Sequence, residues 1–394
     1  MNTDKHRLIP RLRFPEFREA GEWEEKPVDE LCEIINNRRQ PITSNNRVSG
    51  PYPYYGASGI VDYVADFIFN DRLVLVGEDG AKWGAFEKTA FIAEGKYWVN
   101  NHAHVLKAIG VNDILLVAFL TRLDIGPYIT GAAPPKLTLG KLKQIPISIP
   151  TSSKEQQKIA DCLASIDALI TAHSQKVDAL KAHKKGLMQQ LFPREGETVP
   201  RLRFPEFRDA GEWVATTLGN IATFINGRAY KQKELLEQGK YRVLRVGNFF
   251  SNKEWYYSDL ELDEDKYCDD GDLLYAWSAS FGPRIWRGEK VIYHYHIWKV
   301  LEKEGVDKNF LLILLDYETE KMKESSANGL GLLHITKTTI EGWECEIPEV
   351  EEQQKIADCL SSLDALITAQ GKKIDALKAH KKGLMQQLFP NDEL

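Results

Sequence analysis

Two His-x-His pairs are the residues whose type and spacing best suit chemistry. They are His102 with His104, and His294 with His296. Alternate side chains on a strand point to the same face, so each pair could offer two imidazoles to one metal ion. Neither pair has an obvious third ligand. We therefore expect histidines that are satisfied by hydrogen bonds or that face a binding partner, and no metal centre.

Sequence patterns of cofactor and catalytic sites are missing. The segment 77–84, GEDGAKWG, has neither the glycine spacing nor the Ser or Thr of a phosphate-binding loop. We find no GxGxxG, GxSxG or HExxH pattern. The acidic run 259–272 lacks EF-hand spacing and is predicted to be a solvated loop. We predict that the chain is not an enzyme by itself and binds no cofactor or metal.

Composition predicts a multidomain globular protein. The 394 residues are 43% hydrophobic, and this length corresponds to two to four domains. The five cysteines are odd in number and have no CxxC spacing, which disfavours a disulfide framework and structural zinc. No apolar run is long enough to cross a membrane, and the polar N-terminus lacks a signal core. We expect a cytoplasmic protein without membrane contact.

An internal repeat dominates the sequence. Residues 10–23 recur at 200–213 with one change, and 155–193 recur at 352–390 with six changes among 39 positions. The segments between these copies look almost unrelated. The chain is therefore variable–constant–variable–constant, with a short constant lead before each variable block.

The long constant segments are predicted to be helices that pack on each other. Their apolar residues alternate at spacings of four and three, which is typical of a coiled-coil seam. Ser152 and Glu155 have the spacing of a capping box at the first helix start. Two such helices can cover each other's apolar stripe as an antiparallel coiled coil with pseudo-two-fold symmetry. The predicted seam residues are Ile159, Leu163, Ile166, Ile170, Val177, Leu180, Ile356, Leu360, Leu363, Ile367, Ile374 and Leu377.

The variable blocks are predicted to be mixed α/β (α+β) domains of one fold. Strand-like runs occur at 72–77, 104–108 and 145–150, and a helix is predicted near 112–123. The second block has runs at 241–246, 273–277 and 291–300, with a helix near 308–323. The stretches 131–150 and 329–348 have equal length, and both end in Ile-Pro. We predict domains at 1–154 and 194–351, separated by helical regions at 155–193 and 352–394.

Two divergent domains joined by duplicated helices suggest a reader of a target in two parts. DNA fits because its half-sites repeat on one face about every 34 Å. The constant segments PRLRFPEF…GEW and EQQKIADCL…HKKGLMQQLFP also resemble those of the specificity subunit of type I restriction–modification systems. Segments 52–64, 97–106 and 135–147 are similar to motifs inside that family's first type of recognition domain.

The resemblance implies a non-catalytic DNA-recognition subunit. Each variable block would read one half of an asymmetric bipartite duplex, and the helices would set the gap. The implied partners are two modification subunits, which use S-adenosylmethionine to methylate adenine N6, and two restriction subunits, which need ATP and Mg²⁺. The outer helix faces and the leads are expected to dock the modification subunits.

Candidate DNA contacts are side chains with paired donors and acceptors, and polar groups in loops. In the first block they are Tyr55, Ser58, Lys82, Asn100, Asn101, His102, Lys136 and Thr138. In the second block they are Arg228, Tyr230, Lys231, Arg245, Asn248, Ser278, Ser280, Arg284, His294, His334, Thr336 and Lys337.

The negative charge of the chain is concentrated in the second variable block. The net charge is −6, residues 24–154 are neutral, and residues 214–351 carry −7. Because phosphate attraction depends on the charges that contact phosphates, the chain alone is expected to hold DNA weakly. The principal alternative is a catalytically independent enzyme, such as a fused methyltransferase–nuclease, which the missing cofactor motifs disfavour. A second alternative is a coiled-coil scaffold that binds only protein.

Overall fold

The computed structural model describes residues 8–250, 252–278, 280–326 and 335–390. They form two compact units, one within Met1–Gln175 and Gly371–Leu394 and the other within Lys176–Gln370. Both unit boundaries fall inside the long helices, so each unit contains half of each helix. The divisions at 154, 193 and 351 mark changes of sequence, whereas the units are defined by packing.

The first unit combines two four-stranded sheets with a separate strand pair. The sheet orders are β2-β9-β6-β7 and β4-β3-β8-β5, and β1 pairs with β10. The strands are β1 (Glu24–Pro27), β2 (Cys32–Ile34), β3 (Ser49–Gly56), β4 (Gly59–Val64), β5 (Phe69–Asn70), β6 (Leu73–Gly77), β7 (Ala90–Ala93), β8 (Lys96–Val99), β9 (Ala103–Ala108) and β10 (Pro146–Ile149). The helices are α1 (Val28–Leu31), α2 (Asp113–Arg122), α3 (Leu139–Lys143) and the first part of α4 (Ser153–Leu191).

The second unit has the same sheet arrangement. Its sheet orders are β12-β19-β16-β17 and β14-β13-β18-β15, and β11 pairs with β20. The strands are β11 (Val214–Thr217), β12 (Ala222–Asn226), β13 (Tyr241–Leu244), β14 (Tyr256–Ser258), β15 (Tyr267–Cys268), β16 (Leu273–Ser278), β17 (Ser280–Ile285), β18 (Val291–Tyr293), β19 (Ile297–Glu302) and β20 (Glu344–Ile347). The helices are α5 (Leu218–Ile221), α6 (Val246–Phe250), α7 (Lys308–Ser326), α8 (Lys337–Glu341) and the first part of α9 (Val350–Leu388).

Each strand of the first unit has a counterpart ten strands later, with the same neighbours. The prediction that both blocks share one mixed α/β fold is therefore confirmed. The predicted run 291–300 was wrong as a single strand, because it is split into β18 and β19 by the connector 294–296. Apolar and aromatic residues continue across this connector, so the sequence pattern does not reveal the break.

The predicted seam positions lie on the less exposed face of the long helices. Every predicted seam position in α4 and α9 is buried or half-buried, while most positions between them are exposed. In the first unit, Ile159 and Leu163 of α4 share a core with Met385 and Leu388 of α9. In the second unit, the late residues of α4 share a core with the early residues of α9. In each unit, an early segment of one helix thus packs with a late segment of the other, as an antiparallel pair.

Matching ion pairs fix the register of these helix segments. In the first unit, Lys381 Nζ lies 2.7 Å from Asp167 Oδ1. In the second unit, Lys184 Nζ lies 2.7 Å from Asp364 Oδ1. Lys184 and Lys381 occupy seam positions, where a polar residue selects one alignment of the helices over its neighbours.

The constant leads are attached to the helix starts by buried ion pairs. The Arg13 guanidinium donates to both carboxylate oxygens of Glu155, at 2.7 and 2.8 Å. Arg203 makes the same paired contact with Glu352, at 2.8 and 2.7 Å. The four side chains are at most 8% exposed. Arg13 and Arg203 therefore stabilise the fold. The sequence had suggested that the leads dock a partner, but these two side chains are buried and do not form part of such a surface.

The acidic run 259–272 is contacted by lysine side chains. Lys290 Nζ, for example, lies 2.7 Å from Glu264 Oε1. Within the described residues, no group of three or more His, Cys, Asp or Glu side chains could hold a metal ion. No helix in this part of the chain is both long and apolar enough to cross a membrane.

Candidate nucleic-acid interface

Three backbone hydrogen bonds build the same edge in both units. In the first unit, Asn100 N–H donates to Tyr55 C=O at 3.0 Å, Glu78 N–H donates to His102 C=O at 2.8 Å, and Leu137 N–H donates to Glu78 C=O at 2.7 Å. This frame joins the β8–β9 connector to the ends of β3 and β6 and to the segment before α3. We call residues 56–59, 78–89, 100–102 and 136–138 the first rim.

The second unit repeats this frame with other side chains. His294 N–H donates to Leu244 C=O at 2.9 Å, and Trp277 N–H donates to His296 C=O at 3.1 Å. Ile335 N–H donates to Trp277 C=O at 3.1 Å. His296 is therefore the structural counterpart of His102, and the two His-x-His pairs are out of register by two residues. The second rim is defined as 228–231, 245–255, 277–280, 294–296 and 335–337, without the undescribed residues 251 and 279.

The two rims carry their long loop between different pairs of strands. In the first unit, β3 and β4 are joined by two residues, whereas the connection from β6 to β7 runs from 78 to 89. In the second unit, β13 and β14 are joined by 245–255, which includes α6, whereas β16 and β17 form a tight hairpin. Loops tolerate such changes of length because they lie at the surface of a rigid scaffold. The same frame thus presents two different surfaces.

A buried carboxylate organises the first rim. Glu78 contacts the Arg39 guanidinium, and its Oε1 lies 2.8 Å from Lys136 Nζ. Burial raises the pKa of Glu78, but the hydrogen bonds from Arg39 and Lys136 outweigh this and leave the pKa below its usual value. Lys136 is therefore held by a carboxylate while its side chain stays 41% exposed.

The connector of the first rim is shaped by its own side chains. Asn100 is buried, and its Oδ1 accepts from the His102 N–H at 2.8 Å. The His102 imidazole contacts Asp79 and remains 51% exposed. Asn101 is exposed between them. Asn100 thus supports the loop, while Asn101 and His102 are available to a ligand.

His104 belongs to the interior. Its Nε2 lies 2.8 Å from the Leu137 carbonyl, and its Nδ1 lies 2.9 Å from Asn36 Nδ2. A carbonyl can only accept, so Nε2 carries the proton and Nδ1 accepts from the amide. Burial lowers the pKa of His104, consistent with a neutral imidazole. Both ring nitrogens of His104 are hydrogen-bonded, which is one of the two situations that we expected for these histidines from the sequence.

The other predicted residues of the first rim divide between core and surface. The Tyr55 ring packs edge-on against Tyr97, with centroids 5.5 Å apart, so it serves the core. Ser58 is exposed in the two-residue turn, and the Lys82 side chain is 79% exposed. Thr138 is the residue preceding α3, where its C=O accepts from the first turn.

An arginine–carboxylate pair anchors one side of the second rim. The Arg228 guanidinium donates to both oxygens of Glu234, at 3.1 and 2.9 Å, and lies over the Tyr230 ring. Lys231 N–H donates to the same carboxylate at 2.8 Å, while the Lys231 side chain is exposed. The backbone of Arg228 also bridges to His294. Arg228 and Tyr230 therefore shape the rim, and Lys231 is the exposed cation.

Segment 245–255 carries another group of predicted residues. The Arg245 guanidinium carbon lies 4.2 Å from the centre of the Tyr256 ring. Asn248 Nδ2 donates to the carbonyls of Asn252 and Glu254, at 3.3 and 2.5 Å. Asn248 therefore holds the loop that follows α6.

The hairpin and the connector supply further residues. Ser278 is buried at the end of β16, whereas Ser280 is exposed at the start of β17. Arg284 is exposed, and its guanidinium carbon lies 4.8 Å from the centre of the Phe250 ring. Burial, together with the charges of His296 and Arg245, lowers the pKa of His294 to about 4. His294 is therefore neutral at physiological pH.

The last predicted residues lie at the start of α8. Thr336 is the N-cap, and its side chain accepts from the Thr339 N–H at 3.1 Å. Lys337 is exposed and lies 3.5 Å from Glu341. His334 lies outside the described residues. Thr138 and Thr336 hold equivalent places, each just before the short helix that follows the frame.

The predicted site residues did not include three charged residues at the first rim, namely Glu78, Asp79 and the nearby Arg39. Glu78 holds Lys136 and Arg39, and Asp79 contacts His102. A signal was present, because Glu78 and Asp79 directly follow the buried strand β6. A carboxylate whose pKa is shifted by burial and by a specific cation, as for Glu78, is a candidate for a functional site.

Fold and site together define a duplicated protein in which two copies of one scaffold present different polar rims. The family model for the type I restriction modification DNA specificity domain matches residues 20–182 and 210–379. The chain belongs to this family and contains its domain twice. The prediction of a specificity subunit, rather than an enzyme, is confirmed.

Individual relatives agree. Over 360 residues the chain is 29% identical to a protein of Haemophilus influenzae that bears the name of a type I restriction enzyme specificity subunit, covering 88% of this chain and 89% of that one. It is 23% identical to the MjaVIII specificity subunit of Methanocaldococcus jannaschii, covering 96% and 93%. The crystal structure of the type I S subunit from M. genitalium shares the fold, with a TM-score of 0.62, 14% identity and coverage of 98% and 100%.

Proposed function

We propose that the chain reads an asymmetric, bipartite sequence in double-stranded DNA, with one half-site for each rim. The observation that carries the proposal is the shared frame, which presents different loops and side chains in the two units. A common scaffold implies the same mode of docking, while different side chains imply different bases. The rims are therefore the specificity elements.

The partners supply the chemistry. Two modification subunits would methylate adenine N6 with S-adenosylmethionine, and two restriction subunits would cleave with ATP and Mg²⁺. A solved structure similar to this chain, with a TM-score of 0.50 and 17% identity, comes from work on complex assembly of the type I restriction–modification system. It covers 94% of this chain and 98% of its own. This complex would act in the cytoplasm.

Neutralised cations in the first rim support a shared electrostatic role. Lys136 is paired with Glu78, and the nearby Arg39 contacts the same carboxylate. Such pairs reduce the phosphate attraction that the chain can exert alone. We therefore propose that the modification subunits provide most of the non-specific grip on DNA, and that the rims select the sequence.

Sequence-specific binding tests the proposal directly. The chain, purified with its modification subunit, should shift a duplex carrying the methylated target and release it when either half-site is scrambled. Methylated adenines in the host genome define the target. Equal binding to all duplexes would refute DNA reading and favour the protein-only scaffold.

Block exchange tests the division of labour. Replacing residues 24–154 with another recognition block should change one half-site only. A change in both half-sites would contradict separate readout by the rims.

A helix insertion tests the proposed spacer. Four residues, about one helical turn, inserted before Glu155 or in the 191–200 connector should lengthen the unread gap between the half-sites. An unchanged gap would exclude the helices as the element that sets it.

A further inference from the structure

Two arginines of the second unit are held differently from the cations of the first rim. In the first unit, Lys136 of the rim and the nearby Arg39 share the carboxylate of Glu78. In the second unit, Arg245 of the rim and Arg284 of β17 have no carboxylate within 4.0 Å among the residues that the structure describes. Each guanidinium lies instead on an aromatic face, Arg245 on Tyr256 and Arg284 on Phe250. No described carboxylate therefore occupies their terminal N–H donors.

Arg245 is held more firmly than Arg284. It is half-buried, its carbon lies 4.2 Å from the Tyr256 ring centre, and its Nε is buried without a hydrogen-bond partner in the described structure. Its terminal nitrogens are neither buried nor bonded to any described residue. A stacked guanidinium presents its N–H groups in one plane, so the terminal pair forms a fixed fork of donors.

No carboxylate among the described residues competes for the Arg245 guanidinium. The residue follows Leu244, whose carbonyl is part of the frame and accepts from the His294 N–H at 2.9 Å. His294 is neutral at physiological pH, so it neither neutralises the guanidinium nor adds a second charge. A rigid, unpaired fork at the frame complements two adjacent acceptors. In the DNA major groove, guanine presents such acceptors at N7 and O6.

We propose that Arg245 reads a guanine in the half-site of the second unit, through N7 and O6. This inference rests on the proposed function, since it assigns a base to one of its half-sites. Arg284 is exposed and less constrained, which suits a phosphate contact rather than a base contact. The unpaired fork distinguishes the second rim from the first, where the nearby Arg39 is paired with Glu78.

Replacement of guanine by 7-deazaguanine tests the proposal without altering the protein, because it removes only the N7 acceptor. The complex of the chain with its modification subunit is titrated with target duplexes carrying the analogue at one guanine at a time. The half-site of the second unit is the one that changes when residues 214–351 are exchanged. We expect one guanine there at which the analogue weakens binding about tenfold or more.

Two variants provide matched controls. In Arg245→Gln, the native and the 7-deazaguanine duplexes should bind equally weakly, so the analogue no longer weakens binding at that guanine. Unchanged base preferences in the other half-site show that the variant chain is folded. Arg284→Gln should weaken binding to all sequences alike and reduce its dependence on salt.

Two results would overturn the inference while leaving DNA reading intact. One is specific binding that is insensitive to the analogue at every guanine of this half-site. The other is a uniform loss in Arg245→Gln, which would indicate a phosphate contact. Binding of native duplexes without sequence preference would instead refute the proposed function itself.

Discussion

The buried pair between Arg13 and Glu155 permits a sharp test of how the first lead is attached. The carboxylate is 1% exposed and accepts two guanidinium hydrogen bonds. Glu155→Gln removes the negative charge and one acceptor, and leaves the cation buried. Removing one partner of a buried pair costs about 3–5 kcal/mol. Arg13 keeps its hydrogen bond to the Gly21 carbonyl, so we expect the lower end, about 3 kcal/mol.

Hydrogen exchange of lead amides measures this cost locally. Leu12 N–H donates to Gln387 C=O at 2.9 Å, and Trp23 N–H donates to Leu8 C=O at 2.8 Å, so both amides exchange when the lead opens. A loss of about 3 kcal/mol corresponds to roughly a hundredfold faster exchange. The second unit is an internal control, since the equivalent amides of Leu202 and Trp213 should keep their protection.

The outcome distinguishes attachment by the ion pair from attachment by apolar packing. Exchange at Leu12 and Trp23 that rises less than about fivefold would refute the argument, because about 1 kcal/mol is typical of exposed pairs. Replacing both partners, as Arg13→Met with Glu155→Leu, should restore most of the protection, since it leaves no unpaired charge.

Three further predictions follow from the rims and the helices. Glu78→Gln should reduce base discrimination at the first half-site, because Lys136 loses the carboxylate that positions it, and should leave base preferences at the second unchanged, as measured with duplexes randomised in one half. Lys381→Glu should cost about 1 kcal/mol or less, because its pair is partly exposed, and adding Asp167→Lys should restore the midpoint of thermal unfolding. The pKa of His294 is about 4 in the folded chain and about 6.5 in the unfolded chain, so the unfolded chain binds a proton at this residue more readily. The free energy of unfolding should therefore fall as the pH is lowered from about 6.5 toward 4. His294→Gln should reduce that fall in urea titrations.

The long helices were the most predictable part of the fold. Their apolar residues repeat at spacings of four and three over the whole segment, so periodicity alone indicated both the helices and their buried face. The capping box at Ser152 and Glu155 shows the limit of such local patterns. The Glu155 side chain pairs with Arg13, which is 142 residues away in sequence, and spacing carries no information on a contact of that range.

The candidate site was predictable as a set of segments, but less so residue by residue. The connector at 100–102 and the segment at 136–138 do meet at one rim. Tyr55, however, has an aromatic side chain that the fold uses in its core, and Asn100 is occupied by its own loop. Side-chain direction depends on sheet pairing, and sequence does not specify which strands become neighbours across long separations.

The shared helices also bear on the order in which the chain can fold during synthesis. The second unit lies within one continuous stretch, Lys176–Gln370, whereas the first requires Gly371 onward. Met385, Leu388 and Phe389 complete the first core and are synthesised more than 200 residues after Gln175. At about 5–20 residues per second, that core stays incomplete for about 10–40 s. The unit made later is thus the first to have all its parts, and the nascent first unit exposes an apolar face suited to chaperone binding.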